Sequence, residues 1–213
     1  MIAARDLSIS VAGRPLLSGV DLEVDAGEIV GLIGPSGSGK TTLGRVMVGL
    51  TPPDSGTVEL DGNPLPRRPN GSVTMLFQSP RRSFDPRLRL RDAVRVCAKG
   101  PLAEDEWRRL CDLVELPGEL LDRLPRQVSQ GQLQRVSLVR ALVSKPKFLV
   151  CDEPTSALDP LAAAAVMTAL RRVTGDGTGL LIASHDVPLL VATCDRVLEI
   201  HDHSIVKKEA STS

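Results

Sequence analysis

Aromatic residues are nearly missing from this chain. Of its 213 residues only 2% are Phe, Trp or Tyr, there is no tyrosine, and Trp107 is the single tryptophan. Three phenylalanines do not make a series of rings on which single-stranded bases could stack, so a stacking platform is not expected. An excess of either charge is missing too. Lysine plus arginine number 26 and aspartate plus glutamate 26, with a pI near 6.8, which leaves no broad basic footprint for a nucleic-acid partner. Long hydrophobic runs are also lacking: Leu161 to Leu170 holds a threonine and falls well short of the ~20 residues that span a bilayer. The opening Met1-Ile2-Ala3-Ala4-Arg5-Asp6 has no apolar run behind its charge, so no secretory signal is expected. Cys97, Cys111, Cys151 and Cys194 lie far apart without a C-x-x-C pair, which reads as reduced cytosolic thiols and not as a metal cluster.

What is present is an ordered alternation of strand and helix patterns over a length that suits one domain carrying a sub-domain. Ile2 to Ser10 and Val20 to Val24 alternate apolar and polar positions around a turn at Gly13 to Pro15, as antiparallel strands do. Ile29 to Ile33 is continuously apolar, as a strand covered on both faces should be. Thr42 to Leu50 reads as a helix ended by Gly49 and Pro52-Pro53, followed by short strands at Thr57 to Leu60 and Ser72 to Phe77. Gly62, Pro64, Pro66, Pro69 and Gly71 make the stretch between those strands turn-rich.

From about residue 79 to 143 the composition turns helical, with Trp107, Leu110, Cys111 and Val114 at helical spacing as a core stripe. A second helix runs from Gln130 to Val143, with Val136, Val139, Arg140 and Val143 in one set, and stops before Pro146. Phe148 to Cys151 and Leu180 to Ala183 are buried-strand runs flanking a helix from Pro160 to Val173. Val197 to Ile200 and Ser204 to Val206 suggest a closing hairpin, and Lys207 to Ser213 a frayed polar tail. His201 and His203 flank Asp202 in that hairpin; without a third ligand nearby they read as a surface turn.

The chemistry starts at Gly34-Pro35-Ser36-Gly37-Ser38-Gly39-Lys40-Thr41, the pattern G-x-x-x-x-G-K-[ST], entered from a strand and left through Thr42-Leu43 into a helix. Glycines let successive N–H groups converge on phosphate oxygens, and the helix adds its positive end. In this pattern Lys40 reaches the β- and γ-phosphates and the Thr41 hydroxyl ligates Mg²⁺. Asp152 and Glu153 end a hydrophobic strand, where ligands of open α/β sheets collect. That placement suits an Asp holding Mg²⁺, directly or through water, beside a Glu free to orient an attacking water. The residues themselves therefore point to a phosphate-loop nucleotide hydrolase.

Val128-Ser129-Gln130-Gly131-Gln132, ahead of a helix and of Asp152-Glu153-Pro154, resembles the signature motif of ABC-type ATPases, usually written L-S-G-G-Q. Gln78 matches that family's glutamine loop, Ser156-Ala157-Leu158-Asp159 its D-loop and His185 its switch histidine, so the resemblance covers almost the whole chain. It implies an α/β fold: a phosphate-loop NTPase core with a mixed central sheet, an N-terminal antiparallel β subdomain and an inserted α-helical subdomain at about residues 79–143 of a single domain spanning 1–213. It also implies that two such domains pair head to tail. Ser129, Gly131 and Gln132 would then address ATP in the partner's site, Gln78 would contact Mg²⁺ or the water, and His185 would hold the γ-phosphate and the water. Glu153, His185 and Gln78 are thus the expected catalytic residues, residues Gly34 to Thr42 hold the phosphates, and Thr41, Gln78 and Asp152 surround the metal.

The run from Phe77 to Arg87, with Gln78, Pro80, Ser83, Pro86 and Arg87, is similar to the glutamine-loop segment of importers for peptides, nickel or metal–chelate complexes. The resemblance implies transmembrane permease subunits, a second ATPase chain and, indirectly, a solute-binding protein as partners, and a peripheral place on the cytoplasmic face of the membrane. Three departures stand out. Gln130 replaces the usual signature glycine, Val11 or Ala12 stands where an adenine-stacking ring is usual, and the C-terminal extension common among peptide-importer ATPases is not expected after the hairpin. The rival expectations are a soluble ABC ATPase uncoupled from transport and a weakly hydrolysing regulatory subunit.

Overall fold

A computed structural model describes residues 1–66, 71–156 and 158–208. Pro69, Ala157 and residues 209–213 of the expected turn, D-loop and tail lie outside them. The first strands, β1 (Ile2–Val11) and β2 (Arg14–Val24), form an antiparallel pair that continues through β4 (Ser55–Leu60) to β5 (Asn63–Pro64), in the order β2-β1-β4-β5. β2 begins at Arg14, earlier than alternation suggests, because Arg14 and Pro15 close the hairpin opposite Val11 and Ser10.

The second sheet has β3 (Ile29–Ile33) near its centre, beside β6 (Val73–Leu76), β7 (Phe148–Asp152), β8 (Gly179–Ala183), β9 (Arg196–His201) and β10 (Ser204–Lys207). Its order is β10-β9-β3-β8-β7-β6, parallel throughout except for the antiparallel β9–β10 edge. Every residue of β3, β7 and β8 is buried, as a sheet covered on both faces requires. Alternation still sorts the faces: Ile29, Ile33, Leu149 and Cys151 join one core cluster, Val30, Leu32, Phe148 and Val150 the other.

The second cluster is closed by helix α1 (Lys40–Met47) through Leu43, Val46 and Met47, and by the antiparallel sheet. Helical elements cover the first. Between β6 and β7 the chain makes α2 (Pro80–Ser83), α3 (Leu90–Arg95), α4 (Glu104–Leu113), 3-10 turns at Gly118–Asp122 and Pro125–Gln127, and α5 (Gln130–Leu142). After β7 come α6 (Pro160–Thr174) and, beyond β8, α7 (Val187–Thr193). Trp107, Leu110, Cys111 and Val114 are buried as the stripe predicts, with the Arg91 guanidinium 4.9 Å from the Trp107 ring centroid. Each large apolar side chain so buried contributes about 1.5–3 kcal/mol.

α5 is buried on most of its circumference, since Leu133, Gln134, Val136, Ser137, Leu138, Val139, Ala141 and Leu142 are all covered. No helix among the described residues is long and apolar enough to cross a membrane.

Candidate functional site

The loop from Gly34 to Gly39 joins the C-terminal end of β3 to the first turn of α1, so the glycine loop stands at the carboxyl edge of the parallel sheet. Gly34 is required by crowding: a Cβ there would lie 2.7 Å from Ser38 Oγ and 3.2 Å from Ile200. Gly39 caps α1 with φ 106, a left-handed conformation that a side chain would strain. Lys40 folds back over the loop, its Nζ donating to the carbonyls of Gly34 at 2.7 Å and Pro35 at 3.0 Å. The Ser38 hydroxyl is buried with no hydrogen-bond partner among the described residues. An orphaned donor inside a ring of glycine amides at a helix start fits a phosphate oxygen.

Across the loop lie the acids at the end of β7. Thr41 Oγ1 stands 3.0 and 2.9 Å from the two carboxylate oxygens of Asp152, which is buried. Burial pushes the Asp152 carboxyl above its ordinary range; the Thr41 hydrogen bond pulls it down, and the neighbouring Glu153 charge pushes it up again. A hydroxyl and a carboxylate are hard oxygen donors, the set that suits Mg²⁺.

Glu153 has φ 49, uncommon for a residue with a side chain, and its amide donates to Ala183 O of β8 at 2.8 Å. Its carboxylate lies 2.9 Å from His185 Nδ1, with Ser184 Oγ at 3.5 Å. His185 follows β8 as expected and is largely exposed, whereas Glu153 is nearly enclosed. Gln78, exposed just past β6, completes the rim.

Leu16, Ser36, Gly37, Gly39, Lys40, Thr41, Thr42, Gln78, Asp152 and Glu153 line one cleft of about 220 Å³. Leu16 is the residue that sequence reading missed. On this side of the cleft the antiparallel sheet contributes Leu16 of β2, packed on Gly39, while Val11 ends β1 opposite Arg14 and Ala12 lies in the hairpin turn. The closing hairpin buttresses it: His203 Nδ1 lies 3.1 Å from Leu16 O, and Ser18 N donates to His203 O at 2.9 Å.

The signature residues lie apart from this cleft, at the start of α5. Ser129 is its N-cap, accepting at Oγ from Gln132 N at 3.2 Å, while Gln132 Oε1 accepts from Ser129 N at 2.9 Å. A Cβ on Gly131 would lie 3.2 Å from Ala162, so Gly131 lets α5 approach the start of α6. Gln130 at the neighbouring position is half-exposed. Asp159 of the expected D-loop is the N-cap of α6, accepting from Ala162 N at 3.0 Å.

Comparison with known proteins bears on this arrangement. The ABC transporter family profile matches residues 17–156. A putative peptide import ATP-binding protein of Brucella ovis is 36% identical over 87% of this chain and 63% of its own length. A nickel import ATP-binding protein of Shigella dysenteriae is 34% identical over 92% of this chain and 79% of its own. The solved ATP-binding subunit of an ABC transporter superposes with a TM-score of 0.83 at 28% identity, over 98% of this chain and 89% of that one. The chain thus spans less than two thirds of the Brucella relative's length; the family profile takes in the cleft residues from Ser36 to Glu153, and on these matches the chain belongs to the ABC transporter family.

Proposed function

We propose that this chain binds and hydrolyses Mg-ATP as the ATP-binding subunit of a membrane importer for peptides, nickel or metal–chelate complexes. The observation that carries the reading is the meeting of Lys40, Thr41, Gln78, Asp152 and Glu153, drawn from distant parts of the sequence, around one cleft. The names of the peptide and nickel import relatives support the cargo class. In this reading residues 79–143 form a helical subdomain within one ATPase domain.

Residues Gly34 to Thr42 hold the phosphates through backbone amides, with the Ser38 hydroxyl and the Lys40 ammonium completing the shell. Thr41, Asp152 and Gln78 would hold Mg²⁺, which would supply charge neutralisation to the phosphates. The Glu153 carboxylate accepts a proton from the attacking water. His185, at 2.9 Å, fixes the orientation of that carboxylate and reaches the γ-phosphate side.

Because Ser129, Gly131 and Gln132 stand away from the chain's own cleft, they serve a second ATPase chain paired head to tail, at the positive end of α5. The assembly sits on the cytoplasmic face of the membrane against permease subunits, with a solute-binding protein delivering cargo on the other side. The test is to purify the chain from gently solubilised membranes of its own cell and identify what accompanies it. Multi-span permeases with a second ATPase are the expected result. Recovery only in the soluble fraction, with ribosomes or assembly factors, would overturn the importer reading.

A further inference from the structure

Arg140 stands near the C-terminal end of α5, and its guanidinium reaches across to the end of α2. Nη1 donates to Ser83 O at 2.5 Å and Nη2 to Ser83 Oγ at 2.8 Å. Its plane lies 4.1 Å from the centroid of the buried Phe84 ring. Ser83 Oγ in turn donates to Pro80 O at 2.8 Å, so the fork grips a turn that is already closed on itself. Arg91, Arg109, Arg171 and Arg196 each pair with a carboxylate, but Arg140 has none within 4.0 Å among the described residues. Burial even lowers the pKa of this guanidinium.

A part-buried cation without a counter-ion is costly unless hydrogen bonds hold it, and here the two donors that find protein partners both go to a one-turn helix rather than to the core. That helix starts two residues after Gln78. At its other end α5 begins with Ser129 and Gly131, about 16 Å from Arg140 at the rise of a helix. Buried on most of its circumference, α5 is a stiff rod joining the two places.

We infer that Arg140 is a positioning residue for ATP hydrolysis: its two-pronged hold on Ser83 fixes the segment carrying Gln78 in register with the signature end of α5. The inference rests on the ATPase reading above. It assigns the linkage to a guanidinium fork, since an ammonium cannot grip the carbonyl and the hydroxyl of Ser83 together while lying on Phe84.

The test uses the assembled complex recovered from membranes, with Mg-ATP as the probe. Arg140→Met should lower kcat about tenfold while the KM for ATP changes less than about twofold, because the phosphate loop is untouched. Arg140→Lys should fall between the two, and Ser83→Ala, a small change on a half-buried turn, should lower kcat about threefold. In a Gln78→Ala background, itself slowed, Arg140→Met should cost no more than about a further twofold, since the same route is already cut. A purely structural Arg140 would instead give effects that multiply, and that result overturns the inference. Wild-type turnover of Arg140→Met overturns it as well. If Gln78→Ala and Glu153→Gln also turn over like wild type, the ATPase reading falls with it; if they are slow and only the Arg140 effects multiply, the inference alone is lost.

Discussion

The hydroxyl of Thr41 lies within 3.0 Å of both carboxylate oxygens of Asp152, joining the start of α1 to the end of β7. This contact closes the floor of the cleft, and it places a carboxylate where burial disfavours its charge.

Asp152→Asn keeps an acceptor for Thr41 and removes that charge. The carboxyl is shifted upward in the fold, so the folded state holds its proton more tightly than the unfolded chain, and stability drops as pH rises through the raised value. At neutral pH the variant should therefore melt about 2 °C higher without nucleotide. It should also lose Mg²⁺-dependent tightening of ATP binding. A lower melting point, or unchanged Mg²⁺ dependence in calorimetry, would contradict the assignment.

Lys40→Ala should weaken Mg-ATP affinity about 10–100-fold, the loss expected for a charge-assisted contact to phosphate. Its hydrogen bonds to Gly34 and Pro35 show that the lysine also ties the loop to itself. Those bonds are partly exposed, so the stability change should stay near 1 kcal/mol or below. Unchanged affinity in a titration would argue against the phosphate-loop reading.

The parts of the fold that depend on local pattern were legible in the sequence. The continuous apolar runs at β3, β7 and β8 proved to be the buried parallel strands, and the Trp107 stripe packs as its spacing implies. Helix α7 escaped notice because its seven residues bury only Leu190, too little to leave a periodic trace. Leu16 was missed since it reaches the cleft through the packing of one sheet on the other, which no local spacing records. Arg140 reads in sequence as part of an apolar set, and its partner Ser83 lies 57 positions away. The glycine loop, Asp152, Glu153 and His185 were legible because each sits at the end of a strand that announces itself.

Asp195 anchors the strand that leads into the loop. Its carboxylate accepts from Ile29 N at 2.8 Å and from Arg171 at 2.9 Å. Burial raises this carboxyl, but the hydrogen bonds from Ile29 and Arg171 outweigh it and hold the pKa below the ordinary 3.8. The stability it contributes is complete above that ordinary value and is lost as pH falls through the lowered one. Asp195→Ala should cost about 1–2 kcal/mol at pH 7, because the buried Ile29 amide loses its acceptor. The gap from wild type should narrow as the pH is taken below 3.8. Denaturant titrations across that range check it, and a gap that widens toward acid would show the sign to be wrong.

The most direct test of the account is ATP turnover by the membrane-derived complex carrying Glu153→Gln. With the proton acceptor gone and the phosphate loop intact, the variant should bind Mg-ATP as tightly as wild type and hydrolyse it at least ~100-fold more slowly. Wild-type turnover by that complex would contradict the role of Glu153 and, with it, the hydrolytic reading of the cleft.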